Sequence, residues 1–179
     1  MSAKSMIYVK VREEDIGTSV TPDKNLIYAK GLRISDIGGD EVIPDSEVDK
    51  VPHVQLDGQY IGIYHHWDGF PSNVGRTLVT KFNTYKEALN LMLYGDESDI
   101  TEGSVIIPYL LRGGGYKKQA DTPPEVCNKI PSDLKKSRWV DYVYLFKEGE
   151  WYYDTASCCT SKKYRWKKLK EYLEKRKIK

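Results

Sequence analysis

The stretch from Val140 to Asp154 restricts the fold more than any other. Val140 to Lys147 and Glu150 to Asp154 flank a Glu148-Gly149 pair and place Tyr142, Tyr144, Phe146, Trp151 and Tyr153 at alternate positions. Aromatic residues with period two on both sides of a two-residue turn predict a β-hairpin that helps to close a sheet. Met6 to Arg12 has the same period, with Met6, Tyr8 and Lys10 against Ile7, Val9 and Val11, and predicts a half-buried first strand. Asp57-Gly58 is a hairpin-turn dipeptide. It predicts that the strand at Val54 pairs with Tyr60 to Tyr64 at the centre of the sheet. Leu26 to Ala29, after the turn Pro22 to Asn25, and the apolar run Ser104 to Leu111 complete the expected strands.

Helical spacing occurs in three places. Val74, Leu78, Val79 and Phe82 predict a helix over 72–82, and Ala88, Leu89, Met92 and Leu93 a second over 85–94, capped by Asn83 or Thr84 and ended at Gly95. Trp166, Leu169 and Leu173, with Tyr172 beside them, predict a basic C-terminal helix over 162–179. Strands and helices segregate rather than alternate. The expected class is therefore α+β: a largely antiparallel sheet, two consecutive helices after the His-Trp-Asp-Gly loop, and the terminal helix. With 179 residues, 40% of them hydrophobic and 30% charged, one folded domain spanning 1–179 is expected. Residues 36–50 interrupt it as an acidic insertion. No run reaches the roughly 20 apolar residues needed to span a bilayer. The first 15 residues lack the apolar stretch of a secretory signal, so a cytoplasmic location is expected.

Chemistry-bearing motifs are few. Cys127, Cys158 and Cys159 are odd in number and two are adjacent, which suits reduced thiols, and no Cys-x-x-Cys spacing offers a zinc site. Walker, dinucleotide-binding, HExxH and GxSxG signatures are absent, and no cofactor is expected. Gly113-Gly114-Gly115 before two lysines reads as a flexible loop rather than a phosphate cradle. The strongest catalytic candidate is His66 with Asp68, which share a face at period two and suit a metal-assisted or acid/base hydrolase acting on nucleotides or nucleic acid. Apart from the adjacent His65, His53 is the only other histidine. The competing structural assignment makes Asp68 the cap of the following helix and has His66 and Trp67 bond to buried backbone.

Charge is polarised along the chain. Residues 160–179 hold ten basic and two acidic side chains, net +8, whereas the other 159 hold 18 basic and 24 acidic, net −6. Lys162, Lys163, Arg165, Trp166, Lys167, Lys168 and Lys170 form the candidate binding surface, suited to phosphates or an acidic protein face. A second, acidic surface comprises Asp40, Glu41, Asp45, Glu47 and Asp49, which imitate a phosphate backbone in charge.

Ile63 to Pro71, with Gly75 and Gly95-Asp96 following, resembles a largely uncharacterised family of small phage, prophage and plasmid proteins. That family carries a strand ending in Ile-Tyr-x-His-Trp-Asp-Gly-(Tyr or Phe)-Pro. Ser5 to Lys10 and Asp141 to Tyr152 resemble it too. His65 stands where the family often has Cys, and a His-Arg-Asp stretch common later in the family is missing after Leu111. The resemblance implies a mobile-element accessory protein in a host bacterial cytoplasm. A non-enzymatic inhibitor of host defence is then expected, with a CRISPR nuclease such as Cas9, or its guide-RNA complex, as partner. A nucleic-acid-binding regulator is the further alternative.

Overall fold

The structure, a computed structural model, describes residues 3–20, 54–66, 69–93, 97–99, 107–108, 124–132, 134, 140–156 and 163–176. The expected strand at 26–29, the acidic insertion at 36–50 and the triglycine loop lie outside them. Strands are β1 (Ser5–Lys10), β2 (Thr18–Val20), β3 (Val54–Leu56), β4 (Tyr60–His65), β5 (Glu97–Asp99), β6 (Ile107–Pro108), β7 (Glu125–Cys127), β8 (Tyr142–Lys147), β9 (Glu150–Thr155) and β10 (Lys167–Lys168). Helices are α1 (Arg76–Lys81), entered through a π-helical turn at Pro71–Gly75, α2 (Tyr85–Leu93) and α3 (Leu169–Arg176).

The main sheet runs β10-β9-β8-β1-β4-β5-β6, with β7 beside the first half of β4. Among the described residues, five of its seven pairings are antiparallel, so the α+β, mostly antiparallel reading holds. The exceptions are β1 with β8 and β4 with β5. Adjacent parallel strands need a long crossover, and α1 and α2 supply it between β4 and β5, a local alternation that segregated elements did not predict.

The β8–β9 hairpin forms as expected. Glu148 and Gly149 both have positive φ, 51° and 80°, the twist that a two-residue hairpin turn requires. The first strand departs from expectation. It is buried on both faces rather than half-buried, because it lies between β8 and β4 in the middle of the sheet. Ile7 and Val9 join Ile61, Ile63, Leu78, Met92, Phe146 and Leu169 in the core under the helices. Met6 and Tyr8 face a second core with Val143, Leu145 and Ala156.

Tyr8 shows why β4 tolerates a glycine. Gly62 is its cross-strand partner, and a Cβ there would collide with the Tyr8 ring. The ring is held from beyond by its hydroxyl, which donates to Glu125 Oε1 at 3.0 Å. Burial, then the neighbouring Glu125 carboxylate, raise the Tyr8 pKa far above its ordinary value.

Two further expectations are corrected. Val54 does not pair with β4: β3 pairs with β2 in a separate two-stranded sheet. Gly58 serves a tertiary approach, since a Cβ there would lie 2.8 Å from the Cys127 carbonyl oxygen of β7. The terminal helix is shorter than the spacing implied. Lys167 and Lys168 hydrogen-bond to β9 as an edge strand, and helix begins only at Leu169. Trp166 consequently packs against the second core while Leu169 packs in the first. The two consecutive helices form as predicted. Thr84 caps α2, its Oγ1 accepting from Glu87 N–H at 3.1 Å.

Candidate functional site

The His66–Asp68 corner is described in part. His66 follows the end of β4, and its Nδ1 lies 2.9 Å from the Tyr64 hydroxyl, with the rings 5.8 Å apart. Trp67, Asp68 and His53 lie outside the described residues. The N-cap position of the turn after Pro71 belongs to Phe70, not to Asp68. Among the described residues, no group of three or more His, Cys, Asp or Glu side chains could hold a metal ion.

Gly69 and Pro71 have mechanical reasons to be what they are. A Cβ on Gly69 would sit 2.8 Å from Ser5 Oγ and 2.9 Å from the Ala3 carbonyl oxygen. Its N–H donates to that carbonyl at 2.8 Å, and its own carbonyl accepts from the Tyr144 hydroxyl. Pro71 opens the helical turn, where a missing N–H is harmless.

Beneath this corner lies a pair that the sequence did not announce. Ser5 and His65 are directly opposed across β1 and β4, which puts their side chains on one face. Both are fully buried, and Ser5 Oγ, His65 Nδ1 and His65 Nε2 have no hydrogen-bond partner among the described residues. Burial, then the charge of neighbouring His66, hold the His65 pKa down to about 3. The imidazole is therefore neutral throughout the physiological range.

The basic segment is built differently from a solvated tail. Asp154, only 4% exposed, accepts from Thr155 N–H through Oδ1 at 2.8 Å and from Arg165 N–H through Oδ2 at 2.9 Å. That carboxylate fixes the entry to β10. Tyr164 stacks on Trp166 with centroids 4.9 Å apart and planes 12° from parallel, and its hydroxyl donates to the Pro131 carbonyl at 2.6 Å. Beyond β10, Leu169 is fully buried, and a Cβ on Gly75 would lie 2.9 Å from its Cδ1. Gly75 is thus the seat of the C-terminal helix.

These anchors leave Lys167 and Lys168 exposed on the edge strand, Lys163 and Arg165 exposed before it and Lys170 exposed after it in α3, with Trp166 half-buried among them. Lys162 and the acidic group Asp40, Glu41, Asp45, Glu47 and Asp49 lie outside the described residues. Lys168 Nζ is 3.6 Å from Glu150 Oε2, both side chains being nearly half exposed, so the pair is weak. Lys167 Nζ stands 5.7 Å from the Tyr153 ring centroid. Sequence reasoning missed Tyr152 and Lys147, which join this edge through register. Tyr152 pairs with Lys168, and Lys147 Nζ is 5.0 Å from the Tyr152 ring centroid. A cleft of about 310 Å³ adjoins, lined by Val79, Asn83, Gly149, Glu150, Trp151 and Lys170. Trp151 Nε1–H donates to the Phe82 carbonyl at 2.7 Å beside that cleft, tying the hairpin to the end of α1.

No helix among the described residues is long and apolar enough to cross a membrane. Comparison with protein-family models, curated proteins and solved structures found no match to this chain.

Proposed function

We propose that this chain is a binding protein of a phage or other mobile element that works by occluding a component of a host defence system. A CRISPR nuclease such as Cas9, free or with its guide RNA, is the leading partner. The observation that carries the reading is the anchored basic edge. Lys163, Arg165, Lys167, Lys168 and Lys170 are exposed on backbone that Asp154 and Leu169 hold in place. Complementary charge both steers encounter and fixes register with an anionic face. The resemblance of Ile63 to Pro71 to mobile-element proteins supports the choice of partner.

Capture of the nuclease on immobilised protein, with and without guide RNA, tests the reading. A complex at micromolar concentration is expected, at least tenfold weaker for Arg165→Glu/Lys167→Glu/Lys170→Glu. These side chains are exposed, so the variant should melt with the wild type. Absence of a complex retires the nuclease as partner, and unchanged affinity in the triple variant removes the basic edge as the contact.

A further inference from the structure

We infer that the β9–β10 edge takes a single-stranded nucleic acid. The inference rests on the reading of the basic edge as the contact surface and names what is contacted there. An edge strand presents its alternate side chains to opposite faces of the sheet. Lys168 and Tyr152 therefore lie on one face, and Lys167 with Tyr153 on the other. A strand of phosphates following this edge would meet ammonium groups from both sides. Arg165 precedes β10 and Lys170 follows it in the first turn of α3, both exposed.

Charge alone would serve a duplex or an acidic protein equally well. The rings decide between them. Tyr152 is half-buried between Lys168 and Lys147, with the Lys147 ammonium over its ring. The Tyr164–Trp166 stack continues on the same side of β10. Aromatic rings interleaved with cations are what unpaired bases use, because bases of any sequence can stack while the phosphates meet the cations. A duplex keeps its bases stacked on one another, and an acidic protein face gains little from half-buried rings set among cations. Nothing in this arrangement reads base edges, so sequence preference should be small.

Fluorescence anisotropy with labelled single-stranded RNA, single-stranded DNA and a matched duplex is the test. Single strands should bind with a log–log salt slope of about −3, that is 0.7 per phosphate for four cations, or about 50-fold weaker binding at 200 than at 50 mM salt. Tyr152→Leu should weaken single-strand binding about tenfold and leave the duplex unchanged. Arg165→Glu/Lys167→Glu should abolish the single-strand signal, and its exposed sites keep the test decisive if Tyr152→Leu fails to fold. Failure of either single strand to bind at micromolar concentration overturns the inference, as does a duplex bound as tightly as the strands. If the nuclease is captured equally with and without guide RNA while no strand binds, the edge contacts protein. The inference then falls and the occlusion reading stands. Strand binding without nuclease capture gives the reverse outcome.

Discussion

Stability in mild acid should be governed to an unusual degree by one imidazole. His65 has an ordinary pKa of 6.5 when the chain is unfolded and about 3 when folded, because burial disfavours its charged form and His66 adds repulsion. Between those values the unfolded chain binds more protons than the native one, so stability falls as pH falls through that window. Above pH 6.5 the penalty is absent. At pH 5 it comes to about 2 kcal/mol, from roughly 1.4 kcal/mol per unit over the 1.5 units below the unfolded pKa. The comparison that isolates it is wild type against His65→Leu, which fills similar volume with no titrating group. Urea titrations at several pH values between 8 and 5 should show the wild type losing about 2 kcal/mol more than the variant. Carboxylates elsewhere titrate in both proteins and cancel. Parallel stability curves over that range would refute the reasoning, since they would mean that the imidazole reaches water or a hydrogen-bond partner. Ser5→Ala probes the same spot without titration. Removing a buried hydroxyl that has no partner among the described residues should leave stability unchanged or raise it by up to about 1 kcal/mol, read as a shift in the urea midpoint.

Other substitutions separate the contacts that fix the fold. Gly62→Ala should cost about 2–3 kcal/mol, because the Tyr8 ring it strikes is fully buried and held by Glu125. Gly75→Ala should cost less, since it meets the terminal methyl of Leu169, and thermal melts should rank the two in that order. Thr84→Ala removes the cap on the Glu87 N–H and should lower stability by about 1 kcal/mol in urea titrations. Leu169→Ala opens a cavity under the C-terminal helix and should cost about 2–5 kcal/mol, with faster amide exchange across α3.

What was legible in the sequence was local. The Glu148-Gly149 hairpin announced itself through residues that both bracket and make the turn. The cap at Thr84 lay within one turn of the helix it starts. Misreadings arose where a local signal served a distant purpose. Gly58 looked like a hairpin residue but makes room for the Cys127 carbonyl more than sixty residues later. At 166–169 the spacing of Trp166 and Leu169 suits a helix, yet pairing of Lys167 and Lys168 with β9 claims the backbone first and turns Trp166 to the opposite core. The Ser5–His65 pair had no local signal, because only the β1–β4 register brings the two residues together.

The same C-terminal segment serves stability and display at once. Leu169 fills the core over Gly75, Asp154 fixes Arg165, and Pro131 holds Tyr164, so the backbone from 164 to 169 is ordered before anything binds. Were those residues a free tail, ordering each on binding would cost about 1–2 kcal/mol. Anchoring removes that term and leaves the exposed cations with little to lose but their own rotamer freedom. The anchors and the cations are different side chains: those that point inward are apolar or engaged, and those that point outward are charged. Charge reversal at Arg165, Lys167 and Lys170 therefore acts mainly on the partner, costing the fold only the exposed Lys167 contact with the Tyr153 ring, whereas truncation of Leu169 weakens both the fold and the surface that the fold presents.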